Sequence, residues 1–343
     1  MERNRLSSAA MSARLADVCV RLLGDAFGVE RGADRAIEIF LGGLFLDGAP
    51  RSVSEPMRAR LRRAAGQEAL HDTIIGQKWT RVLAVLAERG ITPAPLKGRP
   101  LALAVWPRPA MRPPGDIDLL LEPDALEPAA RAVETLGYRV APQEPAARLR
   151  PPPTGIELLH PNPEWPVVDL HDRLFRSVGR GIEGGALLAR SRPAMLDGHP
   201  IRELDEADRL LFLCVHAAKH GMRSLKWLLD LYAVGQRAAP ATWQLVARRA
   251  VETHTTHPLF AALSVLQTLP MRIPPDVIEA VRPGPITRRA LARQFGLDGA
   301  VRGDRLSRTE RYAMEIVLDP SLSARARMAL GVGERLLAAI VRS

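Results

Sequence analysis

Hydrophobic positions recur at intervals of three and four through residues 1–90, and the runs 34–46 and 61–89 predict helices. From 91 to 175 the pattern changes to short apolar runs punctuated by Gly and Pro. These predict strands at 91–96, 116–121, 138–140, 156–160 and 166–171, the last two forming a hairpin around Pro161-Asn162-Pro163. Residues 100–106 and 126–136 are helical between them. Asp124, with Glu127 three residues on, predicts a capping box, and Gly137 a helix stop. Residues 141–153 form a Pro-rich loop. Helical spacing returns from about 181, clearest at 207–220, 224–233, 242–253, 258–269 and 306–318, and the basic segment 324–341 is amphipathic. The expected fold class is α+β. A small mixed β-sheet core with flanking helices, 91–175, lies between an N-terminal helical region, 1–90, and a C-terminal helical domain, 176–343.

Composition narrows the function. The 343 residues are 47% hydrophobic and 25% charged, as in a globular protein. The net charge of +10 suggests a nucleic-acid partner, but 44 of the 48 basic residues are Arg. The α/β part holds 9 basic and 11 acidic residues, so the whole excess lies on the helical flanks. With only 4% aromatic residues, stacking along an extended groove is poorly served. Cys19 and Cys214 offer no disulfide framework, no apolar run spans a bilayer, and charges interrupt the apolar N-terminal stretch as they would not in a signal peptide. The expected setting is cytoplasmic with no membrane partner. The four lysines, Lys78, Lys97, Lys219 and Lys226, stand out in so Arg-rich a chain.

Gly115-Asp116-Ile117-Asp118 is the sharpest local feature. On a strand, Asp116 and Asp118 share a face, and two adjacent carboxylates repel unless a cation sits between them. A hard divalent ion meets that need. The alternative is a solvated strand end. Asp169, between Val168 and Leu170, is a third carboxylate in an apolar strand. If the two strands are neighbours, the three converge as in two-metal phosphoryl or nucleotidyl transfer. His171 shares the face of Asp169 only if its strand continues, and the expectation is that it has ended there and His171 is solvated.

On a helix, Phe212, His216, Lys219 and His220 fall within about a 100° arc, a narrow polar stripe on an apolar helix that suggests a cleft wall. His216 and His220 have zinc-binding spacing, but Lys219 between them disfavours a metal. Lys226 and Asp230 stand four apart with Lys first, the weaker order for a helix ion pair, which favours tertiary roles for both. Trp227 reads as core in preference to a base-stacking platform. Arg112, four residues before Asp116, either contacts phosphate or pairs with an acid of its own strand. Arg99 and Arg108 are weaker candidates.

The elements Leu96-Lys97-Gly98, Arg112, Gly115-Asp116-Ile117-Asp118-Leu119-Leu120, Leu136-Gly137-Tyr138 and Val168-Asp169-Leu170-His171 resemble an uncharacterised bacterial nucleotidyltransferase family of the DNA polymerase β-like superfamily. His216-Ala217-Ala218-Lys219-His220 and Leu225-Lys226-Trp227-Leu228-Leu229-Asp230-Leu231 are similar to its C-terminal signature, and the resemblance covers roughly residues 60–240. It implies Asp116, Asp118 and Asp169 as catalytic and metal-binding residues, with Mg²⁺ or Mn²⁺ and an NTP, ATP foremost, as co-substrate. Lys97, Gly98, Arg112, Gly115, His216, Lys219, His220, Lys226 and Asp230 would line the nucleotide site. One departure stands out: the superfamily's Gly-Ser phosphate element is replaced by Lys97-Gly98-Arg99, with Gly98 18 residues before Asp116.

The expected activity is transfer of a nucleoside monophosphate to a hydroxyl of a small molecule or of a peptide or protein, with release of pyrophosphate. The alternatives are a non-catalytic nucleotide-binding or regulatory module on the same fold, and transfer to an RNA end. Nucleic acid is not favoured, and the sequence leaves the oligomeric state open.

Overall fold

The computed structural model describes residues 8–142, 155–177 and 180–321. Most of the Pro-rich loop and the amphipathic 324–341 segment lie outside them. Four helices open the chain: α1 (Ser8–Phe27), α2 (Val29–Glu38), α3 (Gly42–Gly48) and α4 (Glu55–Ala87). The predicted 34–46 helix is therefore broken. Its break has a local cause: the Glu68 carboxylate of α4 accepts the N–H groups of Gly42 and Gly43, at 2.7 and 2.9 Å, and so starts a new helix there. Phe40, between the two helices, takes a positive φ of 59°.

Next come β1 (Ala94–Pro95), α5 (Arg99–Val105), β2 (Ile117–Leu120), α6 (Leu126–Glu134), β3 (Arg139–Val140), β4 (Gly155–Leu159) and β5 (Val168–His171). They build a five-stranded sheet in the order β1-β2-β5-β4-β3. Only the central pair, β2 and β5, is parallel; the other pairs are antiparallel, so the predicted mixed sheet and the β4–β5 hairpin both form. The Asp124 capping box does not. Pro123 begins a 3-10 turn, α6 starts only at Leu126, and Ala125 occupies its N-cap without a side-chain bond.

The expected return to helix at 181 is overturned by four more strands. β6 (Arg173–Ser177) pairs with β7 (Arg180–Glu183); α7 (Gly184–Arg190) follows; β8 (Arg192–Leu196) then pairs with β9 (His199–Glu203). Both ribbons are two-stranded, so Pro193 and Pro200 cost little: no second ladder strand needs the N–H that each lacks. The predicted C-terminal helices are α8 (Glu206–Lys219), α9 (Leu225–Gly235), α10 (Pro240–Glu252) and α11 (Thr256–Leu266). Three short helices, α12 (Pro275–Ala280), α13 (Pro285–Gln294) and α14 (Leu297–Arg302), precede α15 (Arg308–Leu318). Among the described residues, no helix is long and apolar enough to cross a membrane.

Two cores flank the sheet. Ile117, Leu119, Val168 and Leu170 bury one face against Trp79, Val82, Leu83 and Leu86 of α4 and Ala129, Ala130 and Val133 of α6. Leu120, of opposite parity, belongs to a second core shared by α1, α3, α8, α9 and α11. The same alternation puts Asp118, Asp169 and His171 on the Leu120 face, toward α8 and α9. Cys19 and Cys214 are free thiols inside that second core.

Candidate active site

The register of β2 and β5 sets the geometry of the acidic centre. Asp118 stands opposite Asp169, and Leu120 opposite His171. Contrary to expectation, β5 continues through His171, which is half-buried with Nε2 3.7 Å from Asp118 Oδ1. Asp118, Asp169 and His171 can each offer one ligand atom, all within 4.8 Å of one another. Asp116 precedes β2 and is exposed, at the mouth of this group and outside that compact cluster.

A lysine completes the centre. Lys97, in the turn after β1, is 8% exposed; its ammonium contacts Asp118 Oδ2 and lies 3.9 Å from Asp116 Oδ2. Gly98 holds that turn at φ 84° and ψ −136°, a conformation that favours glycine. A Cβ there would come within 2.9 Å of the Trp79 indole. Lys97 is therefore held inward by a backbone that only the following glycine permits.

The charges respond to this packing. Burial pushes the Asp118 carboxyl up, but the His171 contact and the Lys97 ammonium outweigh it and hold it well below the usual carboxylate range. Asp169 moves the other way. Burial, then the charge of Asp118, pushes it up to about 6. One face thus carries a firmly ionised carboxylate beside one that keeps its proton to a higher pH than an ordinary carboxyl.

Arg112 and Asp230 meet behind the entry loop. Arg112 Nε and Nη2 donate to Asp230 Oδ1 and Oδ2, at 2.9 and 2.8 Å, and Trp106 Nε1 donates to Oδ1 at 2.8 Å. All three side chains are buried. Of the two roles open to Arg112, pairing with an acid is the one seen, and the acid lies on α9 instead of its own strand. Lys226 also bonds away from its helix: Nζ donates to the Pro114 carbonyl at 2.8 Å. It lies 3.0 Å from where a Cβ on Gly115 would stand, so Gly115 leaves it room. Burial, then the Arg112 charge, lowers Lys226 to about 8. Lys226 and Asp230 thus take separate tertiary partners, and together they fix the 112–115 loop that delivers Asp116.

Facing the acidic centre, α8 and α9 carry a row of rings. Phe175 stacks on Phe212 at 5.5 Å; Phe212 meets His216 at 5.6 Å, and His216 meets His220 at 4.7 Å. Trp227 closes the row, 5.2 Å from His216 and 5.1 Å from His220. Trp227 is half-buried and packs against the second core, and its ring also meets His216 and His220, a pairing across two helices that no local pattern shows. Lys219 and His220 are exposed at the end of α8. The metal-capable cluster among the described residues contains neither His216 nor His220. Arg99 pairs with Asp197 and Asp72, Arg108 with Asp47, and Lys78 donates to the Glu164 carbonyl. These three are braces outside the centre.

The donor set fits a hard divalent ion. Two carboxylates meet face to face, a third stands at the mouth, and a cationic ammonium already lies against them.

No match was found among curated proteins. Among solved structures, the solution structure of the antibiotic-resistance factor ANT(2″)-Ia is 17% identical, with a TM-score of 0.40 over 56% of this chain and 96% of that one. The crystal structure of ANT(2″)-Ia in complex with adenylyl-2″-tobramycin gives 17% and 0.36 over 52% and 97%. Both likenesses are too distant to assign a substrate. The family match is broader: residues 38–269 fit the family described as "Uncharacterised nucleotidyltransferase". The match covers most of the chain, including every site residue named above, and the chain therefore belongs to this family of nucleotidyltransferases.

Proposed function

We propose that the protein moves a nucleoside monophosphate from an NTP, with ATP foremost, to a hydroxyl of a small molecule or of a peptide or protein. The observation that carries this reading is the register of Asp118 opposite Asp169, with Lys97 lodged against Asp118. A structural sheet gains nothing from two carboxylates in direct opposition.

Asp118 and Asp169, with Asp116 at the mouth, would hold Mg²⁺, or Mn²⁺ in its place. That ion would neutralise phosphate charge and make the acceptor hydroxyl more acidic. In the transfer, the acceptor oxygen attacks the α-phosphorus, the bond to the β-phosphate oxygen breaks, and pyrophosphate leaves. Asp169, on the strand beside Asp118 and next to that ion, is the group placed to help take the acceptor's proton. Asp118 stays ionised, and His171 orients it through the Oδ1 contact. Lys97 is placed to follow negative charge: it can exchange its carboxylate contact for the β- and γ-phosphates as these arrive. Arg112 and Asp230 hold the loop and do not touch the nucleotide in this scheme.

The direct test is incubation of the full chain with each labelled NTP, Mg²⁺ and a pool of cell metabolites. Pyrophosphate release with a labelled product is expected. Binding of NTP without any transfer across acceptor classes would favour the non-catalytic module instead.

A further inference from the structure

The ring row on α8 and α9 has no role in the phosphate chemistry, and three observations show that it is more than packing. First, it is continuous across three elements, running from Phe175 on β6 through Phe212, His216 and His220 to Trp227 on α9. Second, it is held under strain. Phe175 takes a φ of 60°, which a bulky side chain rarely adopts, at the irregular step of the β6–β7 pairing. Third, a polar atom in it goes unused: His216 Nε2 is buried with no hydrogen-bond partner.

The row sits beside the phosphate site. β6 begins two residues after His171, and the Lys97 ammonium that touches Asp118 also acts electrostatically on both His216 and His220. Lys226, next to Trp227 in the chain, reaches the Pro114 carbonyl ahead of Asp116. The end of the row at His220 and Trp227 is open to solvent, whereas Phe212 is buried. Burial, then the nearby Lys97 charge, lowers His216 well below the usual imidazole range; the side of the His220 ring packed against His216 and Trp227 is desolvated, and that, then Lys219, lowers His220 as well. Near neutral pH the row is therefore an uncharged π surface. Such a surface suits a flat heteroaromatic ring with polar edges and is a poor site for phosphate.

We propose that His216, His220 and Trp227 form the subsite that binds the nucleobase of the NTP, with the exposed His220 ring and the half-buried Trp227 ring stacking on the base, and the unpartnered Nε2 of His216 behind them taking up a polar group at its edge as the base seats. The proposal rests on the nucleotidyl-transfer reading given above, from which the following experiment separates it.

Calorimetry would measure binding of ATP and of inorganic tripolyphosphate, each with Mg²⁺, to the full chain and to the His220→Ala, Trp227→Leu and His216→Asn variants. Tripolyphosphate carries the phosphate contacts without the base. The expected result is a loss of about tenfold or more in ATP affinity, the scale of one lost base stack, with tripolyphosphate affinity within about twofold of wild type. Equal losses for both ligands would show that the row merely supports the fold, and would overturn the proposal. Unchanged ATP binding with reduced turnover would move the row to the acceptor, and would overturn it too. A wild-type chain that binds neither ligand would remove the nucleotide reading itself, and the base subsite with it.

Discussion

Asp230 on α9 accepts both a two-pronged hydrogen bond from Arg112 and the indole N–H of Trp106, all out of contact with water. This ties the loop ahead of Asp116 to the C-terminal helices. The pair is a brace whose loss exposes the cost of burying charge. Asp230→Ala leaves a buried guanidinium and an indole N–H without a partner, and is expected to cost about 3–5 kcal/mol in urea denaturation. The double variant Arg112→Met/Asp230→Leu removes both charges and should lose much less than the single. A double variant as unstable as the single would show that the loss is one of shape and not of charge.

Lys97 neutralises Asp118 when no divalent ion is bound. Lys97→Met should therefore lower the Tm in chelator and regain more on addition of Mg²⁺ than the wild type does. Equal gains in the two proteins would mean that the ammonium and the ion do not share a site.

Asp169 gives a pH signature in the metal-free protein. Its folded pKa, about 6, lies above its ordinary value of 3.8, so between these values the folded state binds more protons than the unfolded. Stability then falls as pH rises from about 4 to about 6, and the whole penalty is present above that window. Asp169→Asn removes it. The variant should melt higher than wild type at pH 7.5 and at about the same temperature at pH 4, while losing activity. A lower Tm at pH 7.5 would contradict the strained, repelled carboxylate described here.

Gly98 holds a positive-φ turn against the Trp79 ring. Gly98→Ala should cost about 1–3 kcal/mol in denaturant, through backbone strain and the 2.9 Å approach to the indole. A variant as stable as wild type would show that the turn relaxes freely.

The acidic centre was legible in sequence because strand parity is a strict rule. Parity puts Asp118 on the inner face of its strand, and the apolar neighbours of Asp169 mark a second inner strand; Asp116, expected on the same strand face, precedes β2 and stands at the mouth. The parallel register that places Asp118 opposite Asp169 lies between segments about 50 residues apart, beyond any local pattern. The strands from 173 to 203 are not legible because Arg and Pro interrupt their alternation, which two-stranded ribbons tolerate. The break at Phe40 depends on Glu68, 26 residues beyond Gly42, reaching back to two backbone N–H groups. Trp227 packs against the core as its apolar helix suggests; only the crossing of α8 and α9 brings it against His216 and His220 as well.

The central claim is that the opposed carboxylates drive nucleotidyl transfer. Its most direct test is pyrophosphate release from labelled NTP by wild type and Asp118→Asn, each checked for a native circular-dichroism spectrum. The wild type is expected to release pyrophosphate and label an acceptor, and the folded variant to do neither. Undiminished turnover by the folded variant would contradict the assignment.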